Sequence, residues 1–538
     1  MTIDAFDWIH RTGANPPDDP VPGDFCKSAP ARPFLYEGTF AHEYQHLLHS
    51  YTDPDEVNWI NEGLSDRAQT LTGYVDPSKE ITERGFDSHI QTFLGWSVVQ
   101  TPFNPNPRQG GPENSLTWWE DQGGGEILAD YGAAYTMMEL LAGRYGPGFM
   151  SSLHRGAANG LAAVDEALAA VDPENKVEVT DVLHDWALMN ALDLWVDQGA
   201  RIFGFPGAER VTAPTLRASV NWDNPDTHRS PGAPPNGADY VRLRDATGAY
   251  LTGAAITSLD FAGATTLPAA PIAWTVDADP PGQPGNPALY SGSGLNRDEG
   301  AVLQVAVPTG TPTLSFRARW NLEETWDFGY VQVSTDGGAT YTSLPCSGTS
   351  STADPGAVPE VVAQLPGYTG DSGGFEAASC PLAPYAGQTA LLAFRTINDP
   401  AAEGQDPAVR PGLWIDDVTI GTTSISTGAS LADWRSFSQV KPTSVAGFTV
   451  YVISMRDRNR DKIRVRQLPL TSGFTIDGQA KLKKFVDPKA DFVAAVVIYD
   501  DPTELARGYA PYRLVVNDVL QPGGGMQSDE LLSPSPSP

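Results

Sequence analysis

Residues His42-Glu43-Tyr44-Gln45-His46, inside the run Gly38-Thr39-Phe40-Ala41-His42-Glu43-Tyr44-Gln45-His46-Leu47, decide how the first part of this chain is read. On an α-helix, a spacing of four residues puts the two histidines one turn apart on a single face. Two imidazoles so placed bind one zinc ion at about 2.0–2.1 Å each. Glu43 projects beside them, and its expected role is to take a proton from a water that the metal acidifies. A catalytic zinc site needs a third protein ligand and leaves the fourth position to water. The stretch Trp59-Ile60-Asn61-Glu62-Gly63-Leu64-Ser65-Asp66 supplies Glu62 for that place. The loop Thr52-Asp53-Pro54-Asp55 would turn the chain back, and a second helix starting near Glu56 would then present Glu62 to the histidines. His49 is the rival third ligand. It shares the histidine face, but one helix does not comfortably wrap three side chains round a tetrahedral ion. Asp66, one turn beyond Glu62, is expected to hydrogen-bond a ligand imidazole, fixing its tautomer and raising its basicity. The bland alternative is a helix with surface histidines.

Outward from this motif, the texture of the chain changes twice. Residues 1–36 are rich in Pro, Asp and Gly and read as irregular. From Gly38 to about Gly199 apolar residues recur at spacings of three and four, as in residues 131–145, 161–171 and 181–195, which predicts helices. After about residue 205 Pro-Gly clusters appear, and short alternating runs such as Val302-Leu303-Gln304-Val305-Ala306-Val307 and Tyr330-Val331-Gln332-Val333-Ser334 end in turn residues. That spacing predicts an antiparallel sandwich. A Ser/Thr/Gly stretch at 421–430 reads as a linker. The runs 448–453, 492–499 and 512–516 read as a smaller β domain, and the Gly-, Ser- and Pro-rich end as a disordered tail. The expected fold is therefore multidomain α+β. A mainly helical catalytic part (1–205) precedes a β-sandwich (206–425), a small β domain (431–521) and a tail (522–538).

The chain has 538 residues, a net charge of −31 and 41% apolar residues. A surface this acidic repels phosphate backbones and anionic lipid heads, so neither nucleic acid nor a membrane surface is an expected partner. No apolar run is long enough to span a membrane. Glu323, Glu324, Asp327, Asp416 and Asp417 lie in predicted turns and strands of the sandwich. From them Glu324, Asp327 and Asp417 are chosen as a Ca²⁺ set, with solvated acidic turns as the alternative. Cys346 and Cys380 fall in one region of strands and are candidates for a disulfide, with two buried thiols as the alternative. Cys26 is left over.

His42, Glu43, His46 and Glu62 resemble the gluzincin class of metalloproteases, in which His-Glu-x-x-His is followed by a Glu on the next helix. The two stretches quoted above are most similar to the hyicolysin-type neutral metalloproteases, and Asn-Glu-x-x-Ser-Asp also resembles thermolysin. The resemblance implies a zincin fold, zinc as cofactor, peptide-bond hydrolysis, and Asp66 as partner of a zinc-binding histidine, with His42 as that histidine. The gap between His46 and Glu62 is shorter than in thermolysin. Asp130-Tyr131-Gly132-Ala133-Ala134-Tyr135 resembles the tyrosine-bearing helix of zinc aminopeptidases. By that resemblance Tyr131 donates to the oxyanion of the tetrahedral intermediate, and a core aromatic is the alternative. Residues 220–420, including Trp326-Asp327-Phe328-Gly329-Tyr330-Val331 and Trp414-Ile415-Asp416-Asp417-Val418, look like the jelly-roll module of immune inhibitor A, which is related to MAM domains. That likeness implies a secreted protein and carries no catalytic residue.

The start of the sequence, Met1-Thr2-Ile3-Asp4-Ala5-Phe6-Asp7, has neither a basic nor an apolar leader segment, so taken literally it predicts a cytoplasmic protein. Gluzincins place a β-sheet half before the histidine helix. Met1 is therefore expected to be an internal methionine, with a signal peptide and a β half lost upstream, and a genuine short form is the alternative. Two functions follow from these readings. The first is a secreted zinc endopeptidase acting on proteins or peptides, whose β modules meet extracellular matrix or cell-surface glycan. The second is a non-catalytic adhesive or carbohydrate-binding β protein carrying an incomplete protease half.

Overall fold

A computed structural model of the chain describes residues 7–24, 27, 31–76, 78–83, 86–96, 110–123, 126–172, 174, 176–205, 207–399, 401–456, 462–476 and 481–526. Seven helices come first: α1 (Trp8–Arg11), α2 (Leu35–His49), α3 (Asn58–Leu71), α4 (Ser88–Phe93), α5 (Ile127–Leu153), α6 (Leu161–Val171) and α7 (Val179–Asp197). Strands β1 (Arg201–Phe203), β2 (Ala238–Arg242) and β3 (Leu259–Gly263) follow. Next come β4 (Thr275–Asp277), β5 (Ala288–Tyr290), β6 (Arg297–Ala306), β7 (Thr313–Asn321), β8 (Phe328–Ser334), β9 (Thr342–Ser343), β10 (Glu376–Pro381), β11 (Thr389–Asn398), β12 (Gly412–Ile420) and β13 (Thr423–Ser426). The chain closes with β14 (Gly447–Met455), β15 (Lys462–Gln467), β16 (Phe492–Asp500), β17 (Tyr512–Val516) and β18 (Val519–Leu520). The fold is α+β, with its sheets mostly antiparallel, and it divides into two compact units, residues 268–443 and the rest.

The larger unit joins residues 1–267 to 444–538, so the small β domain expected at 431–521 is not a separate body. Its strands form a five-stranded sheet, β1-β15-β14-β16-β2, whose outer strands come from far earlier in the chain. The physical reason lies in the apolar runs themselves. Along β14 and β16, Tyr451, Ile453, Ala494, Val496 and Ile498 enter the core of the helical layer. Their alternates Val450, Val452, Val493, Ala495 and Val497 enter a second core, shared with β3 and β17. A strand that is apolar on both faces needs a covering layer on each. The helices provide one, and the three-stranded sheet β18-β17-β3 provides the other. The helical part therefore extends beyond 205 and packs on a sheet supplied by the C-terminal strands. The expected tail at 522–538 is also corrected at its start. Gly524 and Gly232 hydrogen-bond into this unit through Tyr512 and Gly523, and Met526 donates to the Tyr512 carbonyl. Residues 527–538 lie outside the described residues, as does Cys26.

The smaller unit holds two sheets, β10-β7-β12-β5-β4 with β13 beside β12, and β6-β11-β8-β9. Alternate residues of both sheets meet in one core: Leu314, Phe316, Ala318, Leu413 and Ile415 from one side, Val331, Val333, Leu392 and Phe394 from the other. Cys346 and Cys380 are joined in a disulfide within it. The boundaries are 268–443 rather than 206–425. The stretch read as a linker contains β13, whose Ser424 and Thr423 pair with Thr419 and Ile420. Small polar residues here form an edge strand, because the β12 ladder offers them backbone partners.

Helix packing in the larger unit sets up everything that follows. Both α3 and α4 lie along α5. At Gly63 an added Cβ would come within 2.9 Å of the Ala134 carbonyl oxygen and of Met138 Cγ. At Gly132 it would come within 2.2 Å of the His89 carbonyl oxygen. Only glycine permits these approaches, and they bring Glu62, Tyr131 and His89 into one neighbourhood.

The same unit buries several carboxyls. Asp130 accepts from Asn114 Nδ2 at 2.9 Å and from the Glu120 amide at 3.1 Å. Burial, with the charge of Asp121 added, raises its pKa to about 8. Asp239, which accepts from Tyr512 Oη, is raised to about 8 by burial. Burial likewise raises Asp121 and Asp193 to about 7 each. Their ordinary value is near 3.8, so between pH 7 and 8.5 the folded chain holds protons that the unfolded chain has lost. Stability must then fall as pH rises. Chelator-treated protein is expected to lose several degrees of Tm between pH 7 and 8.5 in calorimetry. A flat or rising Tm would contradict the assignment of these carboxyls as protonated and buried.

Candidate metal centre

The helix α2 buries Ala41, Gln45 and His49 on one face and turns His42 and His46 toward α3. Val57, in extended conformation, leads into α3, which starts at Asn58 and carries Glu62 back to the histidines. Nε2 of His42 lies 3.1 Å from Nε2 of His46, and Oε2 of Glu62 lies 3.2 Å from each. His42, His46 and Glu62 are thus brought together as the sequence predicts.

The other ring nitrogens settle the tautomers. His42 Nδ1 is 2.9 Å from Asp66 Oδ1, and His46 Nδ1 is 2.8 Å from Asn61 Oδ1. A carboxylate and an amide oxygen only accept, so each Nδ1 carries a proton, and in the neutral ring that a metal binds each Nε2 is the free lone pair. Two ring nitrogens and a carboxylate oxygen then face one another, 3.1–3.2 Å apart. Glu62 Oε2 is buried and makes no hydrogen bond of normal geometry. A cation satisfies all three at once. A tetrahedral ion with bonds of about 2.0–2.1 Å has ligand atoms about 3.3–3.4 Å apart, close to the spacing here. The residues present therefore fit a divalent ion of the zinc kind. The side chains of His42, His46 and Glu62 are 13%, 24% and 22% exposed, so solvent reaches all three.

Asp66 is fully buried and serves two rings: Oδ1 takes His42 Nδ1, and Oδ2 takes His89 Nδ1 at 2.8 Å. Burial opposes its charge, but His89 and His42 together lower its pKa to about 2. In turn, burial disfavours charge on His42, while Asp66 and Glu62 outweigh it and raise its pKa to about 10. A metal entering the site must displace that proton, so affinity weakens as pH is lowered.

His89 was not foreseen from the sequence. It stands alone in α4, with no spacing that links it to the motif, and it reaches the site only through the Gly132 contact. Its ring lies 4.9 Å from that of Tyr131, which in turn is 6.2 Å from His42 and meets Trp119 edge-on at 5.1 Å. Burial raises the Tyr131 pKa, and the charges of Glu62, Asp66 and Glu43 raise it further, so Tyr131 keeps its proton beside the centre. Tyr135, one turn on, is fully buried against Thr70 and belongs to the core. Glu43 is half-buried on α2 beside His42.

His49 does not join the first centre. Its ligand atom groups instead with those of Asp53 and Glu56. The Ca²⁺ set Glu324, Asp327 and Asp417 is not brought together. Glu324 is exposed, and Asp417 sits exposed at a bulge of β12 with φ 51°. The carboxyls that do converge are Glu323, Asp327 and Asp399. Asp327 is committed to Asn398 Nδ2 and the Asp399 amide, both at 2.9 Å. Asp416 accepts from Gln283 and Asn286.

No protein-family model matches the chain, and no curated protein matches it.

Proposed function

We propose that the chain is a zinc-dependent endopeptidase of the gluzincin type. The observation that carries this reading is the triangle of His42 Nε2, His46 Nε2 and Glu62 Oε2, 3.1–3.2 Å on each side, with both imidazole tautomers fixed from behind. A zinc ion held there would polarise a peptide carbonyl and acidify a water. The chain's own residues do the rest. Glu43, next to His42 on α2, takes the proton of the attacking water and returns it to the leaving amine. Asp66 and Asn61 hold the two imidazoles in their binding tautomer. Tyr131, kept protonated, donates to the oxyanion that develops on the substrate. His89, tied to Asp66, lines the same side and keeps the Tyr131 ring in position.

Tyr131→Phe removes only the donor. Its expected effect is a loss of about 10²–10³ in kcat with KM little changed. Steady-state kinetics on a casein-derived peptide reads this, and an unchanged kcat would take Tyr131 out of the mechanism. The overall reading is tested by casein hydrolysis, which a zinc chelator should stop and added zinc restore.

The same proposal puts the chain outside the cell and gives the smaller unit a jelly-roll arrangement, with matrix or glycan as partners. The Cys346–Cys380 disulfide supports an oxidising compartment. Among the described residues no helix is long and apolar enough to cross a membrane.

A further inference from the structure

A second donor set lies at the end of α2 and in the connection to α3. His49, the last residue of α2, is 1% exposed, and Asp53 and Glu56 are 7% exposed each. One ligand atom from each of the three lies within 4.8 Å of the others. Neither ring nitrogen of His49 has a hydrogen-bond partner of normal geometry, nor does Asp53 Oδ2 or Glu56 Oε2. A buried histidine with two unused nitrogens beside two unused carboxylate oxygens is an arrangement that folded proteins otherwise avoid.

The surroundings hold these groups in place without satisfying them. Glu56 Oε1 accepts the amides of Val57 and Gly160, each at 2.8 Å, which fixes the carboxylate and leaves Oε2 free. The Asp53 amide donates to the His49 carbonyl at 2.8 Å. Thr52 Oγ1 donates to the carbonyls of His49 and His154 at 3.0 and 2.9 Å. The His154 ring stacks on His49 at 4.8 Å. Glu56 feels Asp53 and Glu504 as like charges, and burial first, then these, push its pKa up to about 7. Burial lowers the pKa of His49, and neither Asn61 nor Asp53, both of which favour its protonated form, offsets that. A neutral imidazole and two carboxyls of like sign call for a cation.

We propose that His49, Asp53 and Glu56 bind a second divalent cation, structural in role, which ties the end of α2 to the connection that leads into α3. One imidazole nitrogen with two carboxylate oxygens suits a first-row transition ion such as Zn²⁺. It does not suit Ca²⁺, which seeks six to eight oxygens. The ion would set how α3 returns, and so where Glu62 meets His42 and His46. It shares no ligand with the first centre, and the two can be counted separately.

The test is zinc per chain by mass spectrometry of the elements. Full-length protein is stripped with chelator, resupplied with zinc alone and freed of excess by gel filtration. Wild type should hold two equivalents, Glu56→Gln one, Glu62→Gln one, and the double variant none. Zinc should also raise the Tm of Glu62→Gln. If Glu62→Gln retains no zinc and gains no Tm, the second site is refuted, and this arm needs no change at His49, Asp53 or Glu56. Wild type with one equivalent that Glu56→Gln keeps also refutes it. One equivalent that survives Glu62→Gln and is lost in Glu56→Gln supports the second site while overturning the proposed catalytic centre.

Discussion

Replacing Glu43 by glutamine is expected to lower kcat on a peptide substrate by about 10²–10⁴-fold while the zinc content stays unchanged. The size follows from what Glu43 does in the proposed mechanism. It accepts a proton as the water attacks and delivers it to the amine that leaves, so one carboxylate serves two transfers. Glutamine keeps the length and the hydrogen-bonding shape but cannot accept that proton. Glu43 is absent from the triangle formed by His42, His46 and Glu62, so its removal should leave metal binding alone. Kinetics and metal content measured on one preparation give the answer. Hydrolysis that persists in Glu43→Gln would exclude the general-base role.

The second large effect falls on the metal itself. Glu62→Ala removes the only anionic member of the set and opens the triangle on two of its three sides. Zinc affinity at this centre should drop by well over the roughly 100-fold that changing an outer hydrogen-bond partner costs. Asp66→Asn gives the internal scale. It leaves all three ligands in place but weakens the hold on His42 Nδ1, and should cost about 10–100-fold. Competition against a chelator of known affinity measures both. Equal losses in the two variants would mean that Glu62 acts as a neighbour and not as a ligand.

Much of this site was legible because its chemistry is local. The spacing of His42 and His46, and the return of the chain through residues 52–55, needed no knowledge of distant parts. Asp66 could be assigned as a partner because it lies one turn from Glu62. His89 could not, since only the contact of α4 with Gly132 brings it in. The helices at 161–171 and 131–145 were visible in their periodicity, although Gly146, at φ 77° and followed by Pro147, breaks α5 in a way that periodicity does not show. The runs 448–453 and 492–499 were recognisable as strands, but they were assigned to a separate small domain. What the order of residues concealed was the layer that covers them. The helices against which β14 and β16 pack lie more than two hundred residues earlier, so a local reading separated what the fold joins. His49 was read as a competitor for the first ion because its place on the helix face was clear. Its partners Asp53 and Glu56 sit in a loop, whose course no periodicity predicts.

The most direct test of the central claim is an anomalous difference map at the zinc edge from crystals of the zinc-loaded chain. The account predicts a peak about 2.0–2.2 Å from His42 Nε2, His46 Nε2 and one carboxylate oxygen of Glu62. A map with no peak at that point, or one in which Glu62 has turned away from both rings, would contradict it.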